Sequence, residues 1–174
     1  MTRAGAAAYD TYMTFAAAAE QHLDDVYAYL AYLTGDRGAA EDLAAETFEK
    51  AFRLWRRFDP ARGSVRVWLC QIARTTALDW FRAERRRRSR ENVYALRQVE
   101  RPAEPLFGDG LAPGLERALA ALSPGEREVI ALRVLLELEG RTAARVLGIS
   151  ETACSTRLSR ALAKLEREVD EDVA

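Results

Sequence analysis

Glu41, Asp42, Glu46 and Glu49 recur near three- and four-residue intervals. On a helix that spacing gathers them along one edge. An acidic edge repels DNA and complements a basic protein surface. Further along the sign reverses. Residues 82–90, beginning with Arg82, hold six arginines and one glutamate, directly after the aromatic pair Trp80-Phe81. Arginines on a helix, Arg85 and Arg86 among them, can follow a phosphate backbone and gain affinity by releasing its counterions. Aromatic neighbours suit stacking on unpaired bases. Near the C-terminus Thr152, Ser155, Thr156, Arg157, Ser159, Arg160 and Lys164 bring hydroxyls and cations to one stretch. These groups can donate to phosphates and base edges. Each stretch alone also suits a solvated helix face, with the acids of 41–49 pairing locally to Lys50 and Arg53.

Catalytic chemistry is not indicated. The chain has no glycine-rich phosphate loop and no serine or cysteine with a partner histidine in a recognisable arrangement. Cys70, Cys154 and His22 are its only thiols and imidazole, too few for a four-ligand zinc site. The thiols read as buried and reduced. The expectation is a protein that is not an enzyme and uses neither cofactor nor metal.

Helices must position these residues. Alanine, leucine, arginine and glutamate dominate the 174 residues, and β-branched types are sparse. Phe15, Leu23, Val26, Tyr27, Leu30 and Leu33 predict a helix over about 12–34. Gly35-Asp36-Arg37-Gly38 breaks it. A second helix is predicted over 39–58, with Leu43, Phe48, Ala51, Phe52 and Trp55 on or near one face. Asp59-Pro60 stops that helix, because proline disfavours helix in the residue before it. Ser64 suits the N-cap of a third helix reaching about Arg90. Val65, Trp68, Leu69, Ile72, Ala73, Ala77 and Trp80/Phe81 are its apolar positions, which favours Trp68 as a core residue over a wedge in DNA.

Residues 91–113 lose periodicity and gain proline and glycine, the composition of a flexible linker. A second domain follows over 114–170. Leu115, Leu119 and Leu122 suggest a short helix. Ser123-Pro124-Gly125-Glu126 reads as a cap, a first-turn proline and a first-turn acid. The next helix carries Val129, Ile130, Leu132, Val134 and Leu135. Residues 141–147, the Gly148-Ile149-Ser150 turn and a helix from Glu151 to about Val169 form a helix-turn-helix. Cys154, Leu158, Ala161, Leu162 and Leu165 would be buried on the last helix. Thr152, Ser155, Thr156, Ser159 and Arg160 would face outward. The fold class is all-α: two small helical domains, over 10–90 and 114–170, joined by a flexible linker.

The formal net charge is −1, whereas a free-standing non-specific DNA binder is usually strongly basic. The average conceals segregation. Residues 166–172 hold five acids and one arginine, opposite in sign to 82–90. Asp10 and Glu20 interrupt the alanine-rich N-terminus, so it does not read as a secretory signal. No run approaches membrane-spanning length. The expectation is a cytoplasmic protein with no membrane segment of its own.

With these motifs in place, the chain resembles the extracytoplasmic-function sigma factors. Glu41-Asp42-Leu43-Ala44-Ala45-Glu46-Thr47-Phe48, Trp68-Leu69-Cys70-Gln71-Ile72-Ala73-Arg74, Ala77-Leu78-Asp79 and the following arginines look like the family's region 2. Leu119 to Val129, Val146 to Glu151, and Thr156-Arg157-Leu158-Ser159-Arg160-Ala161 look like region 4. The resemblance implies core RNA polymerase as a partner, through the beta-prime clamp helices and the beta flap. It also implies promoter DNA and an anti-sigma factor. The helix around Asp42 and Glu46 would dock on the clamp helices. The turn 59–66, with Arg62 and Ser64, would help open the −10 element. Arg74, Thr75, Leu78 and Asp79 would read that element, and the arginines would hold its backbone. The last helix would read the −35 element through Ser155, Thr156, Ser159 and Arg160.

The chain departs from the family pattern in the first helix of the helix-turn-helix, where the usual Ser-Tyr-Glu-Glu-Ile-Ala reads Glu139-Gly140-Arg141-Thr142-Ala143-Ala144, and at three further positions. Ala45 stands where glutamine is usual, Thr75 where asparagine is usual, and Ser155 where a basic residue is usual. The last change is expected to weaken −35 binding or shift its preference. The residues alone leave two other readings open. One is a stand-alone helix-turn-helix repressor or activator whose first bundle dimerises or senses. The other is a sigma-like interaction module without initiation activity.

Overall fold

The computed structural model describes residues 3–94, 118–119 and 121–173, with side chains over 15–90, 118–119 and 121–167. Among the described residues there are helices and turns and no strand. The chain divides into two compact units. Residues 3–30 and 38–94 make the first; residues 31–37, 118–119 and 121–173 make the second.

The first unit is built from α1 (Arg3–Thr34) as far as Leu30, α2 (Arg37–Leu54) from Gly38, and α3 (Val65–Tyr94). Helix α1 ends at Gly35, whose φ of 71° suits glycine and whose N–H donates to the Ala31 carbonyl at 3.0 Å. Its buried stripe runs through Val26, Tyr29 and Leu33. Leu23 lies at the margin of that stripe and is 49% exposed, contrary to the expectation from spacing. On α2 the buried positions are Ala40, Leu43, Ala44, Thr47 and Ala51. The Thr47 hydroxyl is satisfied within the helix by the Leu43 carbonyl at 2.7 Å. This stripe is rotated from the expected one, so Phe48 and Trp55 are half-buried and Phe52 is exposed. The α-helical turns stop at Leu54, and Trp55–Arg57 tightens into a 3₁₀ turn.

Ser64 caps α3 as expected: its hydroxyl accepts from the Val67 N–H at 3.4 Å and its carbonyl from the Trp68 N–H at 3.1 Å. Leu69, Cys70, Ala73, Thr76 and Ala77 are buried along it. The helix continues to Tyr94, past the expected end at Arg90 and into the expected linker; residues 95–113 lie outside the described residues. Polar ties also join the helices. Arg66 donates to both Asp25 oxygens at 2.6 and 3.2 Å, linking α3 to α1. Lys50 Nζ donates to Thr76 Oγ1 at 3.2 Å, linking α2 to α3.

In the second unit Ser123 caps α4 (Pro124–Ile130) through a capping box with Glu126. The expected short helix before it is described only at Ala118, Leu119 and the turn through Leu122. Helix α4 passes into a π-helical turn, Ala131–Leu135, closed by the Leu136 N–H on the Ala131 carbonyl at 2.9 Å. Such a turn shifts the register of the face. Leu132 stays buried, whereas Val134 and Leu135, apolar positions of the same expected helix, are 53% and 39% exposed. Helix α5 (Gly140–Leu147) ends at Gly148 with φ 68°. The Ile149 N–H returns to the Ala144 carbonyl at 3.1 Å, a Schellman-type closure. Ser150 then caps α6 (Glu151–Val173), its hydroxyl accepting from the Ala153 N–H at 3.1 Å. Cys154 and Ala161 are fully buried on α6, and Leu158 and Leu165 are half-buried. Leu162 falls one residue, about 100°, past Ala161 and is 40% exposed, which removes it from the expected stripe.

Candidate nucleic-acid interface

The acidic edge forms as the spacing predicts. Glu41, Asp42, Ala45, Glu46 and Glu49 are all exposed on α2, away from its buried stripe. The edge is not uniform. Glu46 pairs with Lys50 at 2.6 Å and Glu49 pairs with Arg53. No cation pairs with Glu41 or Asp42 among the described residues, so these two exposed carboxylates keep an unneutralised charge.

An aromatic cluster braces the segment after α2. Trp55 and Phe58 stack nearly parallel, 8° apart with centroids at 5.4 Å. Trp68 of α3 meets both, at 5.9 and 5.3 Å, and Phe15 of α1 meets Phe52 and Trp55 at 5.3 and 5.4 Å. Trp68 therefore sits in the packing, as its place on the apolar stripe predicted. Asp59 accepts from the Ala61 N–H at 3.0 Å and opens a second 3₁₀ turn, Pro60–Arg62. Gly63 follows with φ 153°. Arg62 and Ser64 are exposed here, at the joint between the turn and α3.

Along α3, Thr75, Asp79, Arg82 and Arg86 follow one another at four-, three- and four-residue steps and are exposed. Arg74 is half-buried beside them. Thr75 donates to the Gln71 carbonyl at 3.0 Å, and Asp79 holds Arg82 at 2.9 Å. The arginine run divides by partner. Glu84 accepts from Arg87 at 2.8 Å and Arg88 at 3.0 Å, and these hydrogen bonds hold its carboxyl below the usual range. Arg85 and Arg86 are exposed and pair with no acid among the described residues. Trp80 and Phe81 make a T-shaped pair at 5.0 Å, with Phe81 exposed.

On α6 the outward face carries Thr152, Ser155, Thr156, Ser159 and Arg160, all exposed. The Ser159 hydroxyl donates to the Ser155 carbonyl at 3.1 Å. Two cations expected on that face go elsewhere. Lys164 Nζ donates to Glu126 Oε2 at 2.7 Å. The same oxygen accepts from the Ser123 N–H and hydroxyl at 2.9 and 2.8 Å, and the Lys164 bond is the largest of the causes that hold the Glu126 carboxyl down at about 2. Arg157 is half-buried over Gly125, where a Cβ would come within 3.1 Å of its Nη1. Sequence reasoning missed these ties because they join distant residues. Only the S-x-x-E capping box hinted that Glu126 had a structural task.

Comparison with known proteins agrees with this geometry. The Sigma-70 region 2 model matches residues 18–87, and the Sigma-70, region 4 model matches residues 114–165. The chain is 35% identical over 155 residues to the ECF RNA polymerase sigma factor SigC of Mycobacterium tuberculosis, covering 85% of this chain and 79% of that protein. It is 30% identical over 151 residues to SigM of Bacillus subtilis, covering 84% and 90%. The chain belongs to the extracytoplasmic-function sigma factors. With BldN of Streptomyces coelicolor the identity is 33% over 156 residues; 88% of this chain is covered, and the match spans 59% of BldN. Among solved structures, the sigma factor RpoE of Bartonella quintana, in complex with the anti-sigma factor NepR, is similar with a TM-score of 0.72 and 25% identity, covering 90% and 97% of the two chains. CnrH, in complex with the cytosolic domain of CnrY, gives 0.68 and 26%, covering 92% and 90%.

In this sigma factor the region 2 match takes in the acidic edge, the braced turn and the arginines to Arg87. The region 4 match takes in the capping box and the helix-turn-helix. Since both parts match sigma-factor regions, the stand-alone regulator reading is set aside. The departures at Ala45, Thr75 and Ser155 are all exposed. Among the described residues no helix is long and apolar enough to cross a membrane.

Proposed function

We propose that this sigma factor binds core RNA polymerase through the α2 edge and directs promoter-specific initiation in the cytoplasm, without an enzymatic activity of its own. Asp42 and Glu41 lead the polymerase contact. Arg62, Ser64, Arg74, Thr75, Asp79, Arg82, Arg85 and Arg86 engage the −10 element, and Thr152, Ser155, Thr156, Ser159 and Arg160 engage the −35 element. The observation that carries this reading is the exposure of an acidic edge and two DNA-suited faces on the segments that match regions 2 and 4. A similar fold is solved with an anti-sigma factor bound, which supports an anti-sigma partner here.

Reconstituted transcription tests the reading. Purified protein, bacterial core polymerase and a library of promoter fragments should give discrete starts at a fixed distance from a shared two-part motif. Asp42→Arg should abolish core binding with an unchanged helical melting curve, because it inverts the charge at an exposed position. Starts that do not depend on the added protein, or unchanged core affinity of the variant, would refute it.

A further inference from the structure

The 3₁₀ turn Trp55–Arg57 carries two arginines that none of the roles above uses. Trp55 and Phe58 lie three residues apart, and in a chain with three residues per turn such positions eclipse. Both rings turn into the aromatic cluster and stack on each other. Arg56 and Arg57, between them, are left exposed. The turn is closed by the Phe58 N–H on the Trp55 carbonyl at 3.0 Å and braced by Trp68 at 5.9 and 5.3 Å. The backbone that carries the two guanidinium groups is thus fixed before any ligand arrives, which lowers the ordering cost of binding.

Charge pairing separates these two from most arginines of the unit; among the described residues they share the lack of an acid partner with Arg85 and Arg86 on α3. In the same unit Arg53 pairs with Glu49, Arg66 with Asp25, Arg82 with Asp79, and Arg87 and Arg88 with Glu84. No acid pairs with Arg56 or Arg57 among the described residues. Residues 53–66 hold five arginines against one acid, Asp59, whose carboxylate caps the next turn. Two adjacent, unneutralised guanidinium groups favour an anion with several oxygens.

We propose that Arg56 and Arg57 form a phosphate seat for the single-stranded part of the −10 region, on the same side of the chain sequence as Arg62 and Ser64. This rests on the reading that 59–66 helps open that element. A basic protein surface suited to Asp42 and Glu41 would be repelled by Arg56 and Arg57. The sign change between Glu49 and Arg56 therefore marks where the polymerase contact ends and the nucleic-acid contact begins. Exposed arginines at a helix end also favour the helix dipole, so the test must read DNA directly.

The test uses reconstituted holoenzyme and two fragments of one promoter, one fully duplex and one with the −10 region held open by mismatches. Arg56→Gln/Arg57→Gln should lower affinity for the open fragment and reduce the slope of log K against log salt by about 1.4, two single-strand phosphates. Arg56→Lys/Arg57→Lys should restore most of the slope, and core affinity should be unchanged in both variants. An unchanged slope on the open fragment would overturn the seat. So would a loss of core affinity with the slope retained, which would make the arginines a polymerase contact. If the unsubstituted protein forms no holoenzyme that binds the open fragment, the functional reading fails and the seat fails with it.

Discussion

Lys164 Nζ lies 2.7 Å from Glu126 Oε2, joining α6 to the first turn of α4. The glutamate is 8% exposed and also receives both Ser123 donors, so it serves helix cap and interhelical tie at once. Its carboxyl is held at about 2 against an ordinary 4.5. A depressed folded value means stability that is present above the unfolded value and lost as pH falls through the folded one. The window is therefore between pH 4.5 and 2. Glu126→Gln should lower the stability of the second unit by about 2 kcal/mol at neutral pH and flatten its acid limb in that window. Denaturant titrations at several pH values would show both effects. A variant with the same acid limb as the parent would refute the assignment.

Because Lys164 is engaged inside the unit, it should contribute little to phosphate binding. Lys164→Gln should leave the salt slope of holoenzyme binding to a −35-containing duplex nearly unchanged. Arg160→Gln should reduce the slope by about 0.9, one duplex phosphate. Equal reductions for the two variants would place Lys164 back on the DNA face.

Glu137 follows the π-helical turn with φ 52°, the one described non-glycine residue in the left-handed region, and its side chain is exposed. A side chain in that conformation costs about 1–2 kcal/mol, and glycine gives part of this back as a more flexible unfolded chain. Glu137→Gly should therefore raise the stability of the second unit by about 1 kcal/mol. A thermal melt that moves down instead would show that the glutamate side chain makes a compensating contact.

The sequence made the helices, the caps and the exposed faces legible because these depend on local spacing. Ser64, Ser123 and Ser150 each cap the helix they were expected to cap. Thr152, Ser155, Thr156, Ser159 and Arg160 share the face that period 3.6 assigns them. Reading failed where tertiary packing chose among near-equivalent stripes. Phe52 lost its expected burial to the alanine-rich stripe of α2, and the π-helical turn rotated Val134 and Leu135 outward. It failed also for partners far apart in the chain. Nothing local to Lys164 or Arg157 indicates that α4 claims them, just as nothing near Arg66 points to Asp25.

Trp55 bridges α1, the 3₁₀ turn and α3 through Phe15, Phe58 and Trp68. Trp55→Ala removes a half-buried ring from three neighbours and should cost the first unit about 2–3 kcal/mol, below the range for a fully buried tryptophan. It should also loosen the turn that presents Arg56, Arg57 and Arg62, so binding to an open −10 fragment should fall more than binding to core polymerase. Equal losses in both would mean general unfolding of the unit.

The chain's two thiols fall one to each unit, Cys70 at 0% and Cys154 at 1% exposure. Burial pushes both up, Cys70 to about 12. Since the thiolate is the reactive form, neither can be alkylated until its own helix pack opens. A thiol reagent followed by peptide mass analysis then keeps two separate clocks in one tube. The rate at which each cysteine gains the label reports the opening of its unit. The unaltered protein can thus reveal which half a bound polymerase, promoter or inhibitor holds shut.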